Sequence, residues 1–454
     1  MPNKQYSVDK NDILCYNVHR RSVIVMKYIP LIYTALEKYA QNTLRRFHMP
    51  GHGGAIKDGF LSAVSAYDVT ELNETDNLSC PEGVIKEAEN LASQKFGSGA
   101  TLFSCGGATL CLQAAIFTAL KRRPQARVFC HRRVHKSVLN AFYLMGVQPK
   151  WITDYEGDFS DCDILVFTYT DYYGNIVPYE RICEISRKYG IITVADNSHG
   201  AHLAFMNKGM LHPVKQDIDF SVDSLHKTLP VLTGGACLNI KDRDDYDTCR
   251  YAMTVFGSTS PSYLIMASVD RALSEVDECI FENTAQVIRG IEKRLGRYFI
   301  HDSDSLHRDP LRIVLRCENP GELYNLLYKK GIKCEFYDAC GVVLIPPYGA
   351  DEQYFEPLVK ALEEYDGGIY FPTQRIKYKI PAVKLSIREA LTAPGREITL
   401  EEANGKISAR EYSLYPPGIP VIVPGEVFDD DIISCLKNSL NKVQILTERK
   451  EKTL

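Results

Sequence analysis

The 454-residue chain has no excess of positive charge: 53 Lys and Arg against 57 Asp and Glu leave a formal net charge of -4. Without a basic footprint, nucleic acid is not expected as a main partner. Its 14 cysteines never form a CxxC pair. Scattered through a chain this long, they point to free thiols in a reducing compartment rather than to a disulfide framework. No HExxH occurs, and the i, i+3 pair His199 and His202 has no compact set of further ligands beside it, so no metal is predicted. Long apolar runs are missing as well. The most apolar N-terminal piece, Ser22 to Leu36, is interrupted by Lys27 and Pro30. It is too short and broken to span a bilayer and reads as an amphipathic helix packed on the body or on a partner subunit. The residues before it lack the layout of a signal peptide, so a cytoplasmic protein is predicted. There is no internal repeat and no low-complexity segment, and the Lys-rich tail after Thr447 is expected to fray.

What is present is an ordinary globular composition, 45% hydrophobic and 24% charged. The length exceeds what one core usually serves, so two lobes are expected. The divisions read as an N-terminal arm (1–50), a large domain (51–300) and a smaller C-terminal α+β domain (301–454). Pro81 opens a helix that ends before Gly97, and a glycine turn at 106–107 opens another, running to Leu120. Strands at Arg127–His131, Asp163–Tyr169, Ile191–Asp196, Asp219–Val222 and Gly235–Ile240 alternate with helices at His135–Met145 and Tyr179–Tyr189. This pattern predicts an α/β fold with a mostly parallel sheet covered by helices. A long helical stretch from Ser260 to Arg297 leads out of the large domain. Short strands at Leu311–Arg316, Ile332–Tyr337 and Gly341–Ile345 follow, beside helices at Pro320–Lys330 and Glu352–Glu364.

In parallel sheets ligands lie beyond the carboxyl ends of the strands. Two such ends carry chemistry. Asp196 closes Ile191–Asp196, and Ser224-Leu225-His226-Lys227 follows the strand near Val222. A buried carboxylate and a later lysine suggest pyridoxal phosphate (PLP): the lysine as its Schiff-base anchor, the aspartate keeping its ring nitrogen protonated so that the ring acts as an electron sink. The turn Gly106-Gly107-Ala108-Thr109, at a helix start, suits a phosphate but could be a plain tight turn. His135 reads either as a helix cap or as an imidazole stacked on a cofactor ring. His199 reads as an orienter of Asp196 or a substrate-side residue. His226 is expected to turn away from Lys227, towards the phosphate.

The motifs then occur in a familiar order. They are Met49-Pro50-Gly51-His52, Asp68-Val69-Thr70-Glu71-Leu72, Asp76-Asn77-Leu78, Pro81-Glu82-Gly83, the Gly-Gly-Ala-Thr turn, His135-Lys136-Ser137 and Tyr172-Tyr173-Gly174. Asp196-Asn197-Ser198-His199, Ser224–Leu229, Thr259–Tyr263, Tyr415–Pro420 and Pro424-Gly425-Glu426 complete the series. From about residue 45 to 430 the chain resembles the bacterial ornithine/lysine/arginine decarboxylases, PLP enzymes of the aspartate-aminotransferase fold (fold type I). The resemblance implies Lys227 as the cofactor anchor, Asp196 as the partner of the pyridine nitrogen and His135 as the stacked imidazole. It also implies a catalytic part for His199 and phosphate ligands among Gly107, Ala108, Thr109, Ser224 and His226. Thr259 and Ser260 are implied to reach the neighbouring subunit's cofactor in a homodimer with shared active sites.

Several positions depart from the family's usual pattern. Gly106 and Ala108 stand where Asn and Ser are common, Gly53 where Lys is usual, and Asp-Asn-Ser-His where Asp-Glu-Ala-His is frequent. The N-terminal wing domain of the large inducible enzymes is not expected here. The expected reaction is decarboxylation of arginine, lysine or ornithine to the amine and CO2, with Asp68, Glu71 and Asp76 as candidate partners for the distal cation. The alternatives are a PLP aminotransferase or lyase, in which Arg388 would grip the α-carboxylate, and a catalytically silent PLP-carrying or regulatory protein.

Overall fold

The computed structural model describes residues 13–18, 21–26, 28–42, 45–299, 307–368, 380–414, 418–437 and 439–447. Tyr415–Pro417 and the tail from 448 onward lie outside them. The N-terminal segment begins as a hairpin, β1 (Ile13–Val18) with β2 (Arg21–Met26), followed by α1 (Leu31–Ala40). The apolar piece from Ser22 to Leu36 is therefore not one helix. Pro30, extended at φ -73°, is the N-cap of α1, and the strand precedes it. A proline suits this boundary, having no N–H to lose. The chain continues through α2 (Leu61–Ser65) and α3 (Val84–Phe96), whose N-cap is Gly83 rather than the region of Pro81.

The large domain is built on β3 (Ala100–Ser104), α4 (Gly107–Arg122), β4 (Val128–His131), α5 (Lys136–Met145), β5 (Lys150–Ile152) and β6 (Ile164–Thr168). Then come α6 (Tyr179–Tyr189), β7 (Ile192–Asp196), β8 (Phe220–Asp223), β9 (Ala236–Ile240) and α7 (Tyr246–Phe256). The seven strands stand in the order β3-β9-β8-β7-β6-β4-β5. All neighbours are parallel except that β9 runs against both β3 and β8.

Alternation along the strands explains the two-faced sheet. Val128 and Cys130, Ile164 and Val166, and Ile192 and Val194 share one cluster with α4, α5 and α7. Phe129, Leu165, Phe167 and Ala195 turn to the other face, with Ile182 and Ile185 of α6. Such runs, buried on both faces, are what a sheet covered by helices on each side requires.

The helical stretch after Ser260 is two helices, α8 (Tyr263–Glu275) and α9 (Glu278–Leu295), separated at Val276 and Asp277. Asp277 is extended and its side chain accepts the Cys279 amide, so it restarts the helix as an N-cap. Beyond residue 306 two hydrophobic clusters follow one another. β10 (Ile313–Leu315), α10 (Pro320–Lys329), β11 (Phe336–Asp338), β12 (Gly341–Leu344) and α11 (Glu352–Glu364) come first; all but β11 contribute to the cluster that also holds α8 and α9, and Phe336 of β11 packs with Val314 and Val343. After α12 (Ile387–Thr392), a separate core forms from β13 (Gly395–Thr399), β14 (Tyr412–Leu414), β15 (Ile419–Ile422), α13 (Asp430–Leu436) and β16 (Lys442–Leu446). No helix among the described residues is long and apolar enough to cross a membrane.

Candidate active site

The carboxyl ends of β4, β6, β7 and β8 bring one set of side chains together. After β8 the chain turns through a single 3-10 turn, Leu225–Lys227. That turn, rather than a continued strand, sets the direction of His226 and Lys227. Lys227 Nζ lies 3.0 Å from His199 Nε2 and 5.6 Å from the centre of the Tyr172 ring. His199 packs on the same ring with centroids 3.9 Å apart. Burial pushes the Lys227 ammonium below its ordinary pKa; Asp196 and Glu335 oppose this, and Arg312 adds to it. His199 is held well below the usual imidazole range, first by burial and then by the charges of Lys227 and Arg312.

Asp196 is buried at the end of β7, where the Ser198 amide and hydroxyl donate to its carboxylate at 3.1 and 2.5 Å. His135 is the N-cap of α5: its Nδ1 accepts the Ser137 amide at 3.2 Å and also meets Ser137 Oγ at 2.9 Å. The cap fixes the ring. Burial lowers its pKa, with Asp196 opposing and Lys227 reinforcing.

The glycine turn meets the lysine turn through one strap. Gly107 N–H donates to Gly234 O at 2.9 Å, and His226 N–H donates to Gly235 O at 3.2 Å. His226 Nδ1 faces Gly235 O at 3.1 Å and Ser224 Oγ at 3.3 Å. Gly107 has φ +67°, a conformation that glycine adopts without strain. Among the described residues no acceptor takes the Ala108 or Thr109 amides, which open α4 as free donors of its first turn. A pyridine ring with a phosphate and an aldehyde would therefore meet a buried carboxylate, a fixed imidazole, a lysine of lowered pKa and an amide cradle. The residues present fit PLP.

Other predicted residues fall elsewhere. The Asp76 carboxylate is occupied by the amides of Asn77, Glu82, Gly83 and Ile85 at 2.8–3.1 Å. It caps the start of α3 and has no role left as a partner for a substrate cation. Asp68 pairs with His52 Nε2 at 3.1 Å. Glu71 lies on the same segment and acts electrostatically on Tyr263, whose hydroxyl donates to Asp76 O. Thr259 and Ser260 are exposed, and Ser260 shares a groove with Ser79 and Gly106. Arg388 is exposed and donates to Leu144 O at 3.0 Å, at the far end of the helix that His135 opens. Ten residues of helix separate these ends by about 15 Å, so Arg388 does not grip a substrate at this site.

Two residues of the site had no sequence signal. Arg312, buried just before β10, donates from Nη2 to the His199 carbonyl at 3.1 Å. Glu335 is exposed just ahead of β11, whose Phe336 packs on Tyr172 with centroids 5.7 Å apart. Both reach the site only because the chain returns to it after α9. Among the described residues no group of three or more His, Cys, Asp or Glu is placed to hold a metal.

A parallel sheet with one reversed strand, an aspartate ending β7 and a lysine after β8 define the aspartate-aminotransferase fold of PLP enzymes. The description "Orn/Lys/Arg decarboxylase, major domain" matches residues 30–160 and 158–297, and the C-terminal domain of the same family matches 379–444. The chain belongs to the Orn/Lys/Arg decarboxylase family and is a PLP-dependent decarboxylase. It is 29% identical to the Bacillus subtilis protein YaaO, covering 87% of this chain and 91% of that protein. A Bacillus anthracis arginine decarboxylase is 25% identical over 91% of this chain and 94% of its own length. Among solved structures, the Francisella novicida lysine decarboxylase LdcF superimposes with a TM-score of 0.77 at 16% identity, covering 92% of this chain and 81% of that one.

Proposed function

We propose that this chain decarboxylates a basic amino acid at the site formed by Lys227, His199, Asp196 and His135, with arginine the first substrate to test. The observation that carries the site is the part-buried Lys227–His199 contact at 3.0 Å, beside a buried strand-end carboxylate. Arginine is put first because four similar proteins, at 24–25% identity, are named arginine decarboxylases.

When bound, PLP supplies the electron sink that accepts the electrons released as CO2 departs. Lys227 would hold it covalently, Asp196 would face its ring nitrogen, and His135 would lie against its face. Ala108 and Thr109 amides, with Ser224 and His226, would receive the phosphate. Thr259 and Ser260 are proposed to serve the partner subunit's phosphate, in a homodimer. This chain's own residues have three tasks. Lys227 and His199, hydrogen-bonded through Nζ and Nε2, hold a proton that either atom can deliver to the carbon left by CO2. Tyr172 and Phe336 wall the pair off from water. Glu335, at the mouth and able to act on Lys227 through charge, is placed to meet the distal cation of a basic substrate.

The test is a panel of amino acids incubated with the PLP-loaded protein, reading CO2 and amine. Arginine or another basic amino acid should be consumed and neutral or acidic ones spared. Keto acid in place of CO2 would overturn the reading. Borohydride trapping followed by peptide mapping should place the cofactor on Lys227, and a label on another lysine would refute the assignment.

A further inference from the structure

Arg312 is a buried arginine, 2% exposed, and its charge is incompletely matched. Its Nη2 sits 3.5 Å from Asp309 Oδ2, a loose approach, and donates to the His199 carbonyl at 3.1 Å. Its Nε and Nη1 have no hydrogen-bond partner among the described residues. The side chain is nonetheless held in place. Asp309 is fixed by His202 Nε2 at 2.8 Å and by the Leu311 amide at 2.9 Å. Gly174, at φ +82°, leaves the room the arginine occupies: a Cβ there would come within 2.5 Å of Arg312 Cβ. The backbone from Asp309 is bonded to the same turn, the Asp309 amide to Gly174 O at 2.8 Å.

The far side of this arrangement is a small cavity lined by His202, Thr228, Asp309 and Arg312. His202 Nδ1, Thr228 Oγ1 and Asp309 Oδ2 also lack partners there. Thr228 follows Lys227 directly. The segment after α9 thus places a cation immediately behind the two residues that share a proton.

We propose that Arg312 is a positioning residue for the Lys227–His199 pair, a fixed cation that disfavours the charged form of both groups while it anchors the His199 backbone. The proposal rests on Lys227 being the cofactor anchor. A lysine captures an aldehyde only as the free amine: nitrogen adds to the carbonyl carbon, and its two protons leave with the oxygen as water. A second positive charge near a buried cation is disfavoured far more than in water. The charges facing Lys227 come from every side. Asp196 at the end of β7 and Glu335 ahead of β11 favour its charged form; Arg312 opposes it. His135, His199 and His226 each have a pKa lowered by burial first and by Lys227 among the charges around them, and so face it as neutral rings. Arg312 is the permanent cation in this set.

The test follows cofactor capture by the apo chain across a pH series, with borohydride trapping quantified on the Lys227 peptide. Arg312→Met and Arg312→Gln should move the midpoint of capture upward by about one pH unit, so that capture at a pH below both midpoints falls about tenfold. Arg312→Lys, which keeps the charge, should restore most of it. Melting curves identify the folded variants. A folded neutral variant with the wild-type midpoint overturns the proposal even if it binds PLP more weakly at every pH, because a purely structural arginine would do that. A wild-type label on a lysine other than Lys227 would refute the anchor assignment instead, a separable result.

Discussion

Lys227 Nζ and His199 Nε2 are 3.0 Å apart at the carboxyl edge of the sheet, and the His199 ring is braced from behind by Tyr172. Burial and the Lys227 charge hold His199 below the ordinary imidazole range, so the pair carries at most one positive charge near neutral pH. Replacing His199 by Gln should leave the fold and Lys227 in place and lower kcat by about a hundredfold, the usual scale for losing a positioned proton donor. The check is kcat together with hydrogen isotope incorporation at the product carbon. An unchanged kcat would remove His199 from proton transfer.

Asp196→Asn should still bind PLP, since the lysine and the amide cradle remain. Turnover should fall by several orders of magnitude, because a neutral amide does not keep the ring nitrogen protonated. Spectra of the bound cofactor and single-turnover CO2 release separate the two effects. Near-normal rates would reduce Asp196 to a strand-end residue held by Ser198.

Glu335→Gln should raise KM for the basic substrate by about tenfold to a hundredfold, the range for losing a charge-assisted contact, with a smaller effect on kcat. Steady-state kinetics on arginine, lysine and ornithine would show which substrate loses most, and equal kinetics on all three would place the distal cation elsewhere.

Arg132 and Glu426 form a buried ion pair at 2.7–2.8 Å, and Glu426 also accepts the Val423 amide at 2.8 Å. It ties the last unit of the chain to the end of β4, three residues before His135. Glu426→Ala would strand a buried guanidinium and should cost about 3–5 kcal/mol. Denaturant unfolding measures the loss, and a cost below 1 kcal/mol would show that the pair is dispensable.

Asp270 lies buried on α8 and receives the Ile32 and Tyr33 amides at 2.7 and 3.3 Å and the Tyr28 hydroxyl at 3.1 Å. Burial pushes its carboxyl up to about 7. An acid raised in the folded state binds its proton more tightly there, so its contribution is largest below the unfolded value near 4 and is lost as pH rises through about 7. Asp270→Asn should remove that dependence. The difference in stability between wild type and variant, followed from pH 4 to 8, should fall with rising pH. A flat difference would contradict the assignment.

The large domain was legible because its strands are buried on both faces and punctuated by short turns. Ile164–Thr168 and Ile192–Asp196 fall within a residue or two of where their apolar runs placed them. Asp196 and Lys227 were legible for the same reason, since Asp196 closes a recognisable strand and Lys227 follows the next one after a short turn. Arg388 and Asp76 misled because a charged side chain has the same sequence signature whether it caps a helix end or faces a ligand. The pairing β1–β2 was hidden because alternation over six residues before a proline also suits the start of an amphipathic helix. Arg312 and Glu335 were invisible because what matters about them is the neighbour they meet more than a hundred residues earlier, which local pattern does not encode.

The reversal of β9 has a consequence for how much change the site can absorb. Because β9 runs against β3 and β8 and lies between them, its entrance stands on the edge where those two strands exit. The loop feeding that entrance, 228–235, is therefore a spacer clipped to both exits, on Gly107 at one side and His226 at the other. Its length sets the gap between the amide cradle and the lysine. An inserted or deleted residue there would be felt as a change of gauge at the cofactor seat, whereas the same change in the exposed turn at 156–158 would leave that seat untouched.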